Sequence, residues 1–406
     1  MNTKITSALI YTPDGLITGD ICITDDRITA VGTAPEGFIA DKVISGSEKM
    51  VIPGLINAHT HIYMSVFRNL ADDLSFDDWL FGNILPREDR LDAEQAYKWS
   101  CLSCEEMIRT GTTTFMSMNI FPNADSRAAH DFGMRAVITR GLVGEDRNDE
   151  GGIRRLNEHL RDCELYKDDP LISFKLGPHA IYSCGEDYLM FLIEKAKELH
   201  QDFHIHLSES RREVEDCIKK TGKTPVRYLY DMGFFDIPTC AAHCVHITDE
   251  DIDIFKEKNV SVLHNPKSNL KLANGIAPVK KLLEKGVNVC IGTDSQASNN
   301  ALNMFSEMNF AALLQKGVYE DPIVCSADEV LKMATINGAK ALGMDKDIGE
   351  IVAGKKADLV IIDLNSVNLT PKNDMVAALV YSSNGSEVNT VMIDGKVVME
   401  EGRLVR

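Results

Sequence analysis

Eight short apolar segments alternate with longer stretches of helical spacing through the middle of this 406-residue chain. Repeated strand-then-helix units are typical of a parallel sheet whose strands are joined by helices. Eight units over about 290 residues match a (β/α)₈ barrel, for which about 250 residues is typical. The stretches 188–200 and 276–285 have the spacing of helices. The strands are predicted to begin near Val51, Thr112, Arg135, Ile172, Asp202, Thr239, Val260 and Val287.

Both ends of the chain have the pattern of β structure. Near the start, short alternating segments are separated by the turn signals Pro13-Asp14-Gly15 and Asp25-Asp26. Near the end, the same pattern occurs at 359–363 and 390–396. We therefore predict an α/β fold, with a TIM barrel over residues 54–345. Residues 1–53 and 346–406 are expected to form one small β-sandwich beside it.

Charge and composition limit the partners of such a protein. The formal net charge is −18, and a surface this acidic repels polyanions, so we expect no nucleic-acid partner. No apolar segment approaches the roughly 18 residues of a membrane span, and the first residues do not resemble a signal peptide. We therefore expect a cytoplasmic protein without a membrane partner. Its ten cysteines are expected to be reduced, with Cys101 and Cys104 packed in a helix.

Histidines and carboxylates cluster where predicted strands end. The first barrel strand ends in His59-Thr60-His61, and alternate strand residues share a face, so both imidazoles are expected to point into the barrel. The fifth, sixth and eighth strands end near His206, His243 and Asp294. In TIM barrels, function is located at these C-terminal strand ends. The combined set predicts a site for a divalent metal ion.

These segments resemble the amidohydrolase superfamily, in its mononuclear deaminase and chlorohydrolase branch. The resemblance extends over nearly the whole chain and rests on segments 53–61, 206–209, 243–246, 264–272, 292–294 and 357–360. It implies one divalent metal ion, with Zn²⁺ favoured and Fe²⁺ or Mn²⁺ as alternatives. The implied metal ligands are His59, His61, His206 and Asp294.

The resemblance also implies the catalytic residues Glu209, His243 and Asp294. A metal lowers the pKa of a bound water toward about 7. Glu209 follows a ligand by three residues, so it is expected to reach that water and to carry its proton to the substrate. His243 and Asp294 would orient the attacking oxygen and stabilise the charge that develops.

Other polar residues near the strand ends receive lesser roles. His204 lies deeper in the barrel than His206 and is expected to pack behind the ligands. His246 and His264 are interpreted in the same way, or as structural. Binuclear relatives use a carboxylated lysine at the end of the fourth strand, but Lys175 lies upstream of that end. We therefore predict one metal ion.

Within this branch, the chain resembles deaminases of the adenine ring of S-adenosylhomocysteine, 5′-methylthioadenosine or adenosine. By resemblance, Glu88 would accept hydrogen bonds from the ribose hydroxyls and His179 would reach the purine. Trp79 would pack against the ligand, although ordinary lid or core packing is a serious alternative. Ser298 would help to hold the base.

A pair of arginines is expected to bind the amino-acid tail of S-adenosylhomocysteine. Two guanidinium groups suit a carboxylate, and the resemblance implies Arg140 and Arg154. Arg155 follows directly and leaves the second position ambiguous. The alternative for each is a solvated loop charge.

Several functions share these metal residues. A deaminase of 5′-deoxyadenosine, guanine or cytosine, or a triazine-type hydrolase, is the first alternative. A noncatalytic binding protein is the second, but such a protein is expected to lack a ligand or the acid, and here all are present. The sequence leaves open the native metal, the preferred nucleoside, and whether the chain forms a homo-oligomer.

Overall fold

The computed structural model describes residues 1–76, 78–121 and 123–405. The strands that precede the barrel are β1 (Asn2–Thr12), β2 (Gly15–Thr24), β3 (Arg27–Gly32), β4 (Lys42–Ser45) and β5 (Lys49–Pro53). The barrel strands are β6 (Leu55–Thr60), β7 (Thr112–Asn119), β8 (Arg135–Leu142), β9 (Ile172–Phe174), β10 (Gly177–Pro178), β11 (Phe203–Leu207), β12 (Thr239–His243), β13 (Ser261–His264) and β14 (Asn288–Ile291). The strands that follow it are β15 (Leu359–Asp363), β16 (Val388–Ile393), β17 (Lys396–Glu400) and β18 (Arg403–Leu404).

Helices alternate with the barrel strands and cover them from outside. Early in the chain, a 3₁₀ turn (Ile62–Phe67) and a π-helical turn (Asp78–Ile84) precede α1 (Leu85–Glu88), α2 (Ala93–Arg109), α3 (Ala124–Phe132), α4 (Glu150–Leu165) and α5 (Glu186–Leu199). Those that follow are α6 (Arg211–Thr221), α7 (Pro225–Asp231), a 3₁₀ turn (Phe234–Asp236), α8 (Asp249–Lys258), α9 (Pro266–Lys271), α10 (Val279–Glu284), α11 (Met304–Tyr319), α12 (Ala327–Met333) and α13 (Ile336–Leu342). A 3₁₀ turn (Val367–Leu369) and α14 (Met375–Tyr381) lie between β15 and β16.

The parallel strands β6 to β14 form the barrel in two hydrogen-bonded groups. One group contains β6 to β10 and the other β11 to β14. Backbone contacts join them on both sides: Leu176 bridges to Phe203, and the amide of Asp294 donates to the carbonyl of His59 at 2.9 Å. The predicted α/β barrel is confirmed, and each predicted strand start lies within a few residues of an observed one.

The first predicted barrel strand is in fact two strands with a break at Gly54. Strand β5 belongs to the sheet outside the barrel, and β6 belongs to the barrel. A Cβ atom on Gly54 would lie 2.0 Å from Oγ1 of Thr113. Only glycine therefore fits at the point where the chain passes from β5 to β6. The amide of Gly54 donates to the carbonyl of Asp358 at 2.8 Å, which fixes the crossing.

Strands from both ends of the chain share one sheet, as predicted. Its order is β18-β17-β16-β15-β5-β1-β2-β3, and β4 pairs with β1. Strand β15 lies between β5 and β16 and is antiparallel to both. Ile28 of β3 and Met392 of β16 belong to the same buried cluster, so the sheet folds over its own apolar core.

A buried ion pair connects this sheet to the barrel. Arg135, at the start of β8, donates two hydrogen bonds to Asp358 at 2.8 and 3.0 Å and a third to Asp394 at 3.1 Å. The side chains of Arg135 and Asp358 are 7% and 2% exposed. Charges this buried require partners, so the pair specifies how sheet and barrel meet.

The remaining packing is that of a large apolar core. Its largest fully buried side chains include Tyr188, Phe115, Phe203 and Phe305. The ten cysteines all lie in the described ranges and are free. Across those ranges, we find no helix with both the length and the apolar character needed to cross a membrane.

Candidate active site

Side chains from three barrel strands meet at the C-terminal end of the barrel. We call His59, His61, His206 and Asp294 the histidine–aspartate cluster. Oδ1 of Asp294 lies 3.5 Å from Nε2 of His59 and 3.4 Å from Nε2 of His61. Nε2 of His61 and Nε2 of His206 are 3.3 Å apart. Potential metal-binding atoms of four residues are therefore close enough to share one ion.

Hydrogen bonds behind the rings direct lone pairs toward the centre of the cluster. The Nδ1–H of His61 donates to the carbonyl of Met118 at 2.7 Å, and that of His206 donates to the carbonyl of His179 at 3.0 Å. Each bond leaves Nε2 as the unprotonated nitrogen of a neutral ring. Nε2 of His59 is buried without a hydrogen-bond partner. Neutral imidazoles with free nitrogens beside a carboxylate are the donor set that Zn²⁺ and similar ions bind.

The electrostatics of the cluster favour the same protonation states. Burial lowers the pKa of His59 to about 4 and holds the pKa of His206 well below its usual range. Burial raises the pKa of Asp294, but the surrounding histidines, His59 foremost, outweigh that effect and keep the pKa well below normal. The rings are therefore neutral and the carboxylate is ionised near pH 7, as metal ligands must be.

His204 lies behind His59, in the middle of a relay of hydrogen bonds. Nδ1 of His59 is 2.8 Å from Nε2 of His204, whose Nδ1 is 3.0 Å from Oγ1 of Thr139. The Thr139 hydroxyl donates to the carbonyl of Ser117 at 3.1 Å. Because that hydroxyl proton is committed, the consistent arrangement has each imidazole Nδ1–H donating along the relay. This arrangement leaves Nε2 of His59 free to face the cluster.

Glu209 and His243 lie beside the cluster. Oε2 of Glu209 is 3.8 Å from Nε2 of His243, and its Oε1 accepts a hydrogen bond from Asn274 at 3.0 Å. The Nδ1–H of His243 donates to Oδ1 of Asn269 at 2.8 Å. Burial raises the pKa of Glu209, an effect that the positive charge of His243 opposes. The carboxyl is thus buried and held near a second titratable group, a combination suited to proton transfer.

The backbone is unusual at three of these strand ends. Ser208, His243 and Asp294 have φ values of 52°, 72° and 59°, a region that non-glycine residues rarely occupy. Each such residue costs of order 1–3 kcal/mol, and such conformations cluster at functional sites. The ends of β11, β12 and β14 therefore each carry a backbone conformation that is costly for a residue with a side chain.

Glu213, a residue that the sequence analysis missed, holds the Glu209 loop in place. Its buried carboxylate accepts hydrogen bonds from the backbone amides of Ser208 at 2.9 Å and Glu209 at 2.8 Å. Burial raises the pKa of Glu213 to about 7. The spacing of Ser210 and Glu213 is a helix-start signal that could have drawn attention to it.

Of four predicted substrate residues, His179 and Ser298 contact members of the cluster. The His179 ring centre lies 4.9 Å from that of His206, and its Nδ1–H donates to Ser183 at 2.9 Å. Trp79 is buried and donates through Nε1 to the carbonyl of Ala297 at 3.2 Å. Two of the four are held by contacts that the sequence did not suggest. Ser298 donates to Oδ2 of Asp294 at 2.8 Å, and Glu88 accepts from the Tyr63 hydroxyl at 2.5 Å.

The predicted arginines differ in exposure. Arg140 is buried and forms an ion pair with Glu158 at 2.9 Å. Arg154, in the first turns of α4, has a 65% exposed side chain that lies 3.9 Å from the same glutamate. Arg155 donates to the carbonyl of Val143 at 3.2 Å. Arg140 and Arg154 therefore converge on one carboxylate of the protein itself.

Three neighbouring residues do not join the cluster. Lys175 forms an ion pair with Asp202, which leaves its amine engaged away from the metal-binding atoms. His246 donates from Nε2 to the carbonyl of Asn274 at 2.6 Å, behind Glu209. His264 is buried, and burial lowers its pKa to about 3.

The barrel and its cluster define a metal-dependent hydrolase, and comparison with known proteins agrees. The amidohydrolase family model matches residues 50–398. A 5-methylthioadenosine/S-adenosylhomocysteine deaminase of Caldanaerobacter subterraneus subsp. tengcongensis is 49% identical over 388 residues, or 94% of this chain and 88% of the relative. A 5′-deoxyadenosine deaminase of Methanothermobacter thermautotrophicus is 42% identical over 402 residues, or 98% of this chain and 93% of the relative.

A solved structure of a related enzyme has nearly the same fold as this chain. The zinc-bound adenosine deaminase from Xanthomonas campestris superimposes with a TM-score of 0.95 at 31% identity, covering 99% of this chain and 94% of that one. The chain therefore belongs to the amidohydrolase family. It is a metal-dependent hydrolase that acts on carbon–nitrogen bonds.

Proposed function

We propose that this protein deaminates the adenine ring of a nucleoside by hydrolysis. Water adds at C6 of the ring, the bond between C6 and the exocyclic nitrogen breaks, and ammonia leaves. The product is the corresponding inosine analogue. The observation that carries the proposal is the placement of the histidine–aspartate cluster directly beside the Glu209–His243 pair.

His59, His61, His206 and Asp294 would hold one divalent ion, for which we propose Zn²⁺, with Fe²⁺ or Mn²⁺ as alternatives. The unpartnered Nε2 of His59 and the neutral state of the buried rings support this assignment. When bound, such an ion lowers the pKa of a coordinated water toward about 7 and so supplies a nucleophile at neutral pH.

Glu209 would move the protons. Its buried carboxylate takes one proton from the attacking water and gives it to N1 of the adenine ring. A second proton then passes to the amino group as that group leaves. Burial raises the pKa of Glu209, which helps the carboxyl both to accept and to donate near neutral pH. His243, held by Asn269, and Asp294 would orient the incoming oxygen and stabilise its charge.

The substrate would be held by residues around the cluster. Glu88 would accept hydrogen bonds from the ribose hydroxyls, and its 2.5 Å contact with Tyr63 fixes the carboxylate. His179, beside His206, would face the purine, and Trp79 would pack against the nucleoside. Ser298 would act near the base, where its hydroxyl also supports Asp294. Arg140 and Arg154 would lie nearest the 5′ substituent.

Relatives of this chain support adenosine, 5′-methylthioadenosine and S-adenosylhomocysteine as substrates, with 5′-deoxyadenosine as an alternative. Guanine, cytosine and triazines remain alternatives within the same branch. A noncatalytic role is disfavoured because all the proposed ligands and the proposed acid are present and close together. We further propose a cytoplasmic location, a small-molecule substrate without nucleic-acid or membrane partners, and a catalytic unit of residues 54–345 flanked by the two chain ends.

Ultraviolet absorbance tests the proposal, because conversion of adenine to hypoxanthine shifts the spectrum. Zinc-loaded protein is mixed separately with adenosine, 5′-methylthioadenosine, S-adenosylhomocysteine, guanine and cytosine, and ammonia is assayed in parallel. We expect turnover of the adenine nucleosides, and loss of turnover after metal is removed with a chelator. Turnover of guanine or cytosine alone would reject the adenine assignment.

The variant Glu209→Gln tests the proton-transfer role. The amide retains the shape and the Asn274 contact but carries no proton between water and substrate. We expect the variant to bind the same amount of zinc as the wild type and to lose at least about a hundredfold in kcat. Full activity would remove Glu209 from the mechanism, and loss of zinc would assign it a role in metal binding.

A further inference from the structure

Two serine hydroxyls donate to the same oxygen of Asp294. Oγ of Ser268 lies 2.6 Å from Oδ2 of Asp294, and Oγ of Ser298 lies 2.8 Å from it. Ser268 belongs to α9, which follows β13, whereas Ser298 lies in the loop after β14. Both serines are buried. A carboxylate oxygen accepts about two hydrogen bonds, so the lone pairs of Oδ2 are occupied.

The other oxygen of Asp294 faces the metal-binding nitrogens. Oδ1 lies 3.5 Å from Nε2 of His59 and 3.4 Å from Nε2 of His61. The carboxylate thus has hydroxyl donors on one side and imidazole nitrogens on the other. While the two serine hydrogen bonds are present, only Oδ1 is available to an ion.

The backbone of Asp294 is held on both sides of its side chain. Its amide donates to the carbonyl of His59 at 2.9 Å, and its carbonyl accepts hydrogen bonds from the hydroxyls of Thr60 and Thr293, each at 3.0 Å. With the backbone fixed, the two carboxylate oxygens can exchange places only by rotation about the Cβ–Cγ bond. That rotation must first break both hydrogen bonds from the serines.

The helix that carries Ser268 is also fixed at the site. The next residue, Asn269, accepts a hydrogen bond from the Nδ1–H of His243 at 2.8 Å. The preceding residue, Lys267, has its ammonium group 3.8 Å from the buried carboxylate of Glu307 in α11. Three consecutive residues of α9 therefore contact α11, the proposed metal-binding carboxylate and His243. These contacts hold the Ser268 hydroxyl in its place.

We infer that Ser268 is a positioning residue that, together with Ser298, holds Asp294 as a one-oxygen ligand and so increases the preference of the site for Zn²⁺ over Mn²⁺. The inference rests on the metal site of the proposed function. Zn²⁺ takes about four or five ligands, which the histidine–aspartate cluster and one water can supply. Mn²⁺ favours about six ligands, largely oxygen, and a carboxylate that binds through both oxygens supplies an additional one. Keeping Oδ2 away from the ion therefore disfavours Mn²⁺.

The variant Ser268→Ala, alone and combined with Ser298→Ala, tests the inference. After metal is removed with a chelator, the Kd for Zn²⁺ is measured by competition with a coloured chelator. The Kd for Mn²⁺ is measured from the electron paramagnetic resonance signal of the free ion. Loss of a hydrogen bond to a metal ligand typically weakens metal binding about 10–100-fold, so the Kd for Zn²⁺ should rise about tenfold in the single variant.

The two ions should respond differently to the double variant. Oδ2 is then free to bind the ion, which compensates Mn²⁺ for the loss of positioning. The Kd for Mn²⁺ divided by the Kd for Zn²⁺ should therefore fall by at least about tenfold. An unchanged ratio, with equal losses for both ions, would mean that the serines only support the structure and would overturn the inference.

Ser383→Ala is the matched control. The Ser383 hydroxyl donates to the buried carboxylate of Glu387 at 2.8 Å, which is the same kind of hydrogen bond in the segment between α14 and β16. We expect the control variant to have a lower melting temperature and wild-type Kd values for both ions. A control that changed the ratio of Kd values as the serine variants do would also overturn the inference.

A crystal structure of the zinc-loaded wild type guards against variants that fold poorly. We expect one oxygen of Asp294 at about 2.0–2.2 Å from zinc and the other still bonded to both serines. Coordination of zinc through both oxygens would overturn the inference.

Zinc binding and adenosine turnover by the wild type separate this inference from the proposed function. Where the wild type binds zinc and deaminates adenosine, an unchanged ratio of Kd values overturns the inference alone. Where it binds zinc but deaminates no adenine nucleoside, the proposed function fails and the ratio still decides the inference. Where it binds neither ion, the proposed metal site and the inference both fail.

Discussion

Replacing Glu88 by Gln should weaken substrate binding through the ribose. The Glu88 side chain is buried, and Oε1 lies 2.5 Å from the Tyr63 hydroxyl. Burial raises the pKa of Glu88 to about 6, although the Tyr63 hydrogen bond lowers it in part. At neutral pH the group is ionised, and its second oxygen is the strong acceptor that a ribose hydroxyl requires.

The expected magnitude follows from the charge of that acceptor. A hydrogen bond to a charged group contributes about 1.5–3 kcal/mol, so Glu88→Gln should lower kcat/KM for adenosine by roughly ten- to a hundredfold. Protonation below the pKa removes the same charge. In the wild type, kcat/KM should therefore fall as pH decreases through about 6 and then level off near the roughly ten- to hundredfold lower value of the variant.

The assay compares adenosine with 2′,3′-dideoxyadenosine, followed by ultraviolet absorbance between about pH 5 and pH 8. The dideoxy substrate lacks the hydroxyls that Glu88 would bind, so the variant and the wild type should differ by less than about twofold with it. With the dideoxy substrate, the decrease of kcat/KM below about pH 6 should be correspondingly smaller. An equal loss with both substrates would refute the ribose contact and indicate that Glu88 acts by holding α1 and Tyr63 in place.

Two further predictions concern the framework of the site. Arg135→Met should lower the free energy of unfolding by about 3–5 kcal/mol, because it leaves Asp358 buried without its cation. Adding Asp358→Leu should restore part of that loss in urea unfolding, and strictly additive losses would contradict the pairing. Glu213→Ala leaves the backbone amides of Ser208 and Glu209 without an acceptor. Each unpaired amide should lower the free energy of unfolding by about 1–3 kcal/mol. The substitution should lower both the melting temperature and kcat, with Glu213→Gln intermediate, whereas a wild-type melting temperature in the alanine variant would exclude this role.

The periodic features of the sequence were enough to predict the barrel. Short apolar strands separated by amphipathic helices gave each strand start to within a few residues, because burial on both faces requires such segments. The break at Gly54 was not apparent, since the apolar segment continues across it and the reason for the break is a close approach to Thr113.

Residues with metal-binding side chains at strand ends could be proposed from the sequence, since strand polarity alone brings them to one end of the barrel. The residues that form hydrogen bonds with the site could not be proposed in this way. Asn269, Asn274 and Glu213 contact His243 or the Glu209 loop through the tertiary fold, and amides and carboxylates of this kind are common on any surface. The pairing of Glu158 with Arg140 depends on how α4 packs against β8 and has no local signal.

The ambiguity between Arg154 and Arg155 has a geometric origin. Consecutive helical residues point about 100° apart, so two adjacent arginines cannot both face the barrel mouth in the same way. In α4, Arg155 turns inward to the carbonyl of Val143, and Arg154 remains mostly exposed beside Glu158. The rotation of α4 about its axis decides which arginine points inward. The sequence does not predict where a helix begins to within one residue, so it does not predict that rotation.

The sheet shared by the two chain ends has a consequence for biosynthesis. Strand β5 pairs with β15 from Lys49 to Pro53, yet roughly 300 residues separate them along the chain. While the polypeptide leaves the ribosome, the edge of β5 therefore stays open until the whole barrel has been made. An unpaired apolar strand edge invites aggregation. Nascent chains halted before residue 359 should thus depend on chaperones, and release should follow only when β15 closes that edge.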